Sequence, residues 1–176
     1  MKKRMNCHVF LEKDTVFTDD IIITGDLFVG DDVAILGNVN AKRVYFNDNV
    51  DCYNIEAEDD VIIGNNAVTG CIKSGGDVSV GKNFDGWNVE AFGDVIIAPE
   101  ADMGNIEATG NVVVGSESDV GRIEAAGDIY LNDHIAANKV MALGDVTIGN
   151  FSVITELKAN GKICKWEKAL LGDIWP

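Results

Sequence analysis

The chain can be written in rows of 17 residues, and seven consecutive rows from Ala41 to Ala159 align without a gap. Gly75 to Ala91 reads GGDVSVGKNFDGWNVEA, and Thr109 to Ala125 reads TGNVVVGSESDVGRIEA. The row before them, from Thr24, slips by one residue near Val39. A degenerate row precedes it around Val9, Leu11, Val16 and Ile21, and another starts at Gly161. A repeat this short, renewed over most of the chain, restricts the fold to a stack of identical small units.

The columns define the unit. Position 4 is apolar in every row (Leu27, Val44, Val61, Val78, Val95, Val112, Ile129, Val146), and so is position 6. Position 15 carries Ile, Val or Leu, and position 17 carries Ala or Ser. Positions 10 and 12 are apolar or small in most rows. The pairs 4 and 6, 10 and 12, and 15 and 17 are each spaced by two, which is one face of a short strand three times per row. Three strands with a turn after each close a triangular prism, each strand pairing with its equivalent about 4.8 Å above and below.

The expected fold is therefore all-β: a single-stranded triangular β-helix (solenoid) of about nine coils, forming one domain over residues 1–176. Regular coils are expected in 24–159, an imperfect coil in 7–23, and a last coil with a short C-terminal cap in 160–176. Glycine at position 2 (Gly25, Gly76, Gly93, Gly110, Gly127, Gly144, Gly161) is expected at a corner needing unusual backbone angles. Asp or Asn at position 3 is expected to bond to backbone at that corner. A helical pattern is missing except over Trp166 to Leu171, where one or two helical turns are expected. Inward residues are spaced 2, 4, 2, 3, 2, 4, one short of the left-handed hexapeptide spacing. The deficit, between positions 12 and 15, weighs against a left-handed helix.

Charge limits the partners. The formal net charge is −15, and between Val44 and Leu157 only Lys73, Lys82, Arg122 and Lys139 face twenty acids. Phosphate contacts need clustered Lys and Arg, so nucleic acid is not an expected partner of the body of the domain. Cys7, Cys52, Cys71 and Cys164 form no CxxC pair, and free thiols in or near the core are expected. Neither a secretory leader nor a membrane helix is legible, which gives a cytoplasmic expectation.

The ends carry the first candidate residues. Val9, Phe10, Leu11 and Val16 form the imperfect first row, and Trp166, Leu170, Leu171, Ile174 and Trp175 lie beyond the last clear one. Open solenoid ends invite pairing unless blunted. The tail is expected to fold over the open end as a cap, with docking of another subunit as the alternative. Lys2, Lys3 and Arg4 give at most a weak attraction to anionic lipid.

A second candidate is the acidic column of Glu90, Glu107 and Glu124 at position 16, with Trp87 at a nearby corner, as a face for a protein partner. The expectation there is a solvated face with splayed side chains. His134, in an outward turn, is the residue that a hexapeptide-type acyltransferase would use as general base, and only fold analogy supports that reading. Two histidines cannot supply the three zinc ligands of a solenoid carbonic anhydrase. No catalytic, cofactor or metal residue is expected.

The stretch Gly93 to Leu131, GDVIIAPEADMGNIEATGNVVVGSESDVGRIEAAGDIYL, resembles the bactofilins, bacterial polymer-forming cytoskeletal proteins whose rows run Gly-x-Val-x-Ile-Gly and then Gly-x-Ile-x-Ala. The resemblance spans Thr24 to Ala159. It implies a right-handed triangular β-helix, end-to-end assembly into nucleotide-free filaments, and a non-catalytic scaffolding role at the inner face of the bacterial membrane. The alternative is a capped monomeric or dimeric solenoid that binds a protein through its acidic face.

Overall fold

In the computed structural model, which describes residues 7–175, every regular element is a β-strand. Strands Val9–Leu11, Asp26–Val29, Arg43–Phe46 and their successors down to Ile163–Lys165 stack in chain order as one parallel sheet of ten strands. That sheet is one face of the rod, and its strand number sets the coil count at ten. Like residues stack on like: Val95 pairs with Val112, which pairs with Ile129. The repeat is 17 residues from coil 3 onward. The first step is longer, since Val9 pairs with Leu27 and Ile21 with Val39, each 18 residues apart. The extra residue is returned at Val39, which pairs with Ile55.

The other two faces are separate strands only near the N-terminus, as in Val50–Cys52 and Ile55–Ala57. From coil 5 they merge into seven-residue strands, Asp85–Ala91, Asp102–Ala108, Asp119–Ala125, Ala136–Ala142 and Val153–Ala159. Three turns per row were expected; these rows have two. The 12-to-15 spacing is short in every row from coil 3 onward, and in these rows the chain bends there within a continuous strand. The inward columns form one core along the axis, from Ile21 to Ala169, with side chains such as Leu27, Ile106, Ile123 and Ile148 fully buried. Each such side chain stabilises the fold by about 1.5–3 kcal/mol before conformational entropy is counted.

Among the described residues the tail forms a further coil in place of the expected cap, with Ile163–Lys165 continuing the first face and Leu170–Trp175 pairing in register with Val153–Ala159. Ile163, Ala169, Leu171 and Ile174 stand at inward positions 4, 10, 12 and 15. That pattern extends the core columns and overrides the helical expectation for Trp166 to Leu171. The tail supplies the tenth coil.

The corners depend on glycine for a different reason than expected. Among the described residues no glycine has positive φ. A Cβ at position 2 would instead collide with the position-3 side chain of the coil before: Asp77 Oδ1 under Gly93, Asp94 Oδ1 under Gly110, Asn111 Oδ1 under Gly127. That oxygen accepts the position-3 N–H of the next coil, Asp77 N–H to Asp60 Oδ1 at 2.9 Å and Asp128 N–H to Asn111 Oδ1 at 2.8 Å. The run continues to Lys162 N–H on Asp145 Oδ1 at 2.7 Å. The same device appears at the other corners: Asn65 N–H to Asp48 Oδ1 at 2.7 Å, and Asn105 N–H to Asn88 Oδ1 at 3.1 Å.

Left-handed backbone occurs at position 9, where Asp32, Asn49, Asn66, Asn83, Glu100, Glu117, His134 and Phe151 have φ between 54° and 66°. Asp and Asn tolerate this conformation, whereas the other residues hold it at a cost of about 1–2 kcal/mol each. Stacking offsets part of that cost. Asn66 Nδ2 donates to Asn49 Oδ1 at 3.0 Å, Asn83 Nδ2 to Asn66 Oδ1 at 3.1 Å, and the His134 and Phe151 rings stack at 4.9 Å.

These contacts predict the sign of a substitution. Gly→Ala at an ordinary φ stabilises by about 0.4–1 kcal/mol through the unfolded chain. Gly110→Ala is instead expected to lower the denaturation midpoint, at a cost of about 2 kcal/mol. Adding Asp94→Ala should recover part of the loss by removing the colliding oxygen. Thermal denaturation of the two variants and of Asp94→Ala alone measures that coupling.

Candidate functional site

Among the described residues the strands of the first and last coils pair on one side only. At the C-terminal end the outward edges of Ile163–Lys165 and Leu170–Trp175 terminate their sheets, as Val9–Leu11 and Val16–Phe17 do at the other end. In every earlier coil the position-4 N–H donates to the position-3 carbonyl of the next, as Val146 N–H does to Lys162 O at 2.8 Å. Position 9 does likewise, His134 N–H to Asn150 O at 2.8 Å. By this pattern the Ile163 N–H group points away from coil 9, whereas the corner of coil 10 departs from the pattern, Ala169 N–H donating to Trp166 O at 3.1 Å.

The predicted end residues divide by position. Val9, Leu11, Leu171 and Ile174 are inward; Phe10, Val16, Leu170, Trp166 and Trp175 are outward and exposed. Phe10 is 72% exposed and stacks on Phe28, which stacks on Tyr45, each at 4.8 Å and nearly parallel. Lys165 breaks the inward column that Leu131 and Ile148 fill, and its Nζ donates to the Ala169 carbonyl at 3.4 Å. An inward charge on a terminal strand weakens edge pairing. Lys2, Lys3 and Arg4 lie outside the described residues.

The coil at the N-terminal end is anchored by a buried charge. Asp26 accepts Arg43 Nε at 3.0 Å and Arg43 Nη2 at 2.8 Å, a bidentate pair between successive coils. His8 Nδ1 lies 3.1 Å from the Asp26 backbone nitrogen, which donates to it, and ties coil 1 to the same point. The guanidinium holds the Asp26 carboxyl below its ordinary value, against an opposing push from burial. Because the folded-state value is lowered, the pair stabilises above the ordinary aspartate value of 3.8. That stability is lost as pH falls through the lowered value.

The acidic column forms one wall of a groove. Glu90, Glu107 and Glu124 stack in register, opposite the position-1 side chains Phe92 and Leu143, over a floor of Ala91, Ala108, Ala125 and Ala142. The groove encloses about 440 Å³. Phe92 is 77% and Leu143 63% exposed, a signal that the alanine column masked in the sequence. The column is partly neutralised: Lys73 Nζ pairs with Glu90 at 2.9 Å, and Arg122 with Glu124. Arg122 Nε is buried without a hydrogen-bond partner. Trp87 is exposed at a different corner, flanked by Gly70 and Gly104 in the adjacent coils, so the structure does not bring it to the glutamate groove.

His134 is not poised in a cleft. It holds a left-handed corner with its ring face against Phe151, over which Lys168 Nζ lies at 4.6 Å. The four thiols are free, and only Cys52 is in the core, where burial pushes it up to about 12. Cys7 and Cys164 are exposed at opposite ends, contrary to the expectation for them. Among the described residues no cluster of His, Cys, Asp and Glu is arranged to hold a metal ion, and no helix is long and apolar enough to cross a membrane. No family model, curated protein or solved structure matches the chain.

The Asp26–Arg43 pair yields a pH test. Asp26→Asn is expected to lower the thermal midpoint at neutral pH, and the gap from the unmodified chain should close as pH falls below the ordinary carboxylate range. Melting curves from pH 7 downward measure it; a gap independent of pH would assign the loss to packing.

Proposed function

We propose that this chain is a non-catalytic structural subunit that assembles end to end into rods or filaments, in the manner of the bactofilins its rows resemble. The observation that carries the reading is that the tail continues the sheets in register as a tenth coil. Among the described residues no strand pairs beyond it, and Leu171 and Ile174 stand at its inward positions, Ile174 half exposed. Such an edge is a template for another strand. A scaffold needs no reacting group, and the ring stack that occupies His134 fits that role better than general-base work does. Action in the bacterial cytoplasm, at the inner face of the membrane, belongs to the same reading through the resemblance alone.

A second reading has one observation in its favour. The glutamate groove carries Glu107 with no ion pair among the described residues, between exposed Phe92 and the apolar alanine floor. A basic, partly apolar segment of a partner protein fits that surface by charge and shape.

Sedimentation velocity of the purified chain, with negative-stain microscopy of the same sample, separates the two. End-to-end assembly predicts species that grow with concentration and rods of uniform width. Lys165→Leu, which restores an apolar inward column, should lengthen them. A single monomeric species at all concentrations, unchanged by Lys165→Leu, rejects assembly and leaves the groove as the site to pursue.

A further inference from the structure

We propose that the glutamate groove receives an extended segment of a partner protein that carries one large apolar side chain beside one lysine or arginine. The apolar group sits between Phe92 and Leu143, and the cation meets Glu107. This deepens the second reading above and rests on it, and it is independent of what happens at the ends of the rod.

The groove has two walls. One is the position-16 column of Glu90, Glu107 and Glu124, continued by Met141 and Lys158. The other is the position-1 column, where Phe92 and Leu143 stand three coils apart with only Thr109 and Ala126 between them. Equivalent residues of successive coils lie about 4.8 Å apart, so Phe92 and Leu143 bracket roughly 14 Å of the rod. The floor between the walls is the alanine column. Two exposed apolar side chains on either side of a floor of methyl groups make a seat for one aromatic or branched aliphatic side chain.

The backbone under the groove is closed. Phe92 N–H donates to Ser74 O at 3.1 Å, Thr109 N–H to Ala91 O at 3.1 Å, Ala126 N–H to Ala108 O at 3.0 Å and Leu143 N–H to Ala125 O at 3.0 Å. A ligand gains no strand pairing there, and recognition falls to side chains. A segment lying along the rod crosses the strands. In extended form it advances about 3.3 Å per residue, so about four residues span the distance from Phe92 to Leu143. One of them presents its apolar side chain to the floor, and its neighbour reaches the acidic wall.

Charge sets the number of cations. Lys73 pairs with Glu90 and Arg122 with Glu124, so Glu107 is the carboxylate of this column without an ion pair among the described residues. It stacks between two like charges. One lysine or arginine relieves that repulsion, and the apolar contact beside it shields the new pair from water. The net charge of −15 favours the approach of a basic segment.

A second copy of the chain does not fit. Face to face and antiparallel, Glu107 would fall on the copy's Glu124 and Lys73 on its Lys158. In the parallel arrangement Glu90, Glu107 and Glu124 would be pressed onto its Phe92, Thr109 and Ala126. The occupant is a different protein, basic where this chain is acidic.

Fluorescence anisotropy with capped, fluorescein-labelled peptides tests the fit on the full chain. The probe is Gly-Ser-Phe-Lys-Ser-Gly. One control replaces its Phe with Ala, the other its Lys with Gln. The probe is expected to bind more tightly than either control. Glu107→Gln should weaken the probe by roughly two- to fivefold and leave the glutamine control unchanged. Ala126→Leu fills the seat with a side chain that the same column already carries at Leu143. It should weaken the probe and the glutamine control alike, by roughly tenfold or more, with the thermal midpoint of the chain unchanged.

Binding that follows lysine content alone and survives Ala126→Leu would be attraction to an acidic surface, and would overturn the groove as a docking site. Loss in Ala126→Leu with indifference to Glu107→Gln would leave the groove standing and overturn the assignment of the cation. No binding of the probe at millimolar concentration would overturn both.

Discussion

A side-chain oxygen from one coil accepts a backbone N–H from the next, over a glycine that leaves room for it. This contact recurs at position 3 from Asp60 to Asp145 and, less regularly, at the other two corners. The parallel ladders fix the spacing between coils, and a one-residue slip would turn inward side chains outward. The corner contact adds to that constraint. A shift by one residue would drive a Cβ into a carboxylate and leave an N–H without its side-chain acceptor, a loss of about 0.5–1.5 kcal/mol per corner. The 17-residue period follows from this constraint repeated at every step.

Such a molecule has no intrinsic length. Each coil contacts only its neighbours, so stability accumulates step by step and nothing in the repeat announces an end. Natural ends are made by residues that break the columns. Here the breaks are slight: Lys165 at one inward position of the last coil, and an 18-residue first coil held to the second through His8 and the Asp26–Arg43 pair. Among the described residues no further strand pairs with the first or last coil on its outer side. The net charge of −15 opposes close approach of the sides of two rods.

The fold was legible because the apolar columns repeat in every row, from Leu27 to Val146 at position 4 and from Ile55 to Leu157 at position 15. What escaped had physical reasons. The tail looked like a helix because WEKALL has good helix formers, and only the register of Ile163, Ala169, Leu171 and Ile174 against the rows above shows a coil. Left-handed position 9 is signalled by Asn49, Asn66 and Asn83, but Glu100, Glu117, His134 and Phe151 conceal it. The glycines were legible and their cause was not, since close approach between coils leaves no trace in a single row. Glu90, Glu107 and Glu124 were visible as a column, but the groove they flank needs Phe92 and Leu143 from the next corner. Trp87 drew notice for its size alone.

The central claim is the proposed end-to-end assembly through the two terminal coils. Amide hydrogen exchange at low and high protein concentration tests it most directly. The account predicts that protection of the Ile163 and Val16 amides, in the last and first coils, rises with concentration while the central coils stay unchanged. Equal exchange at those amides across the concentration range, with the chain remaining a monomer, would contradict it.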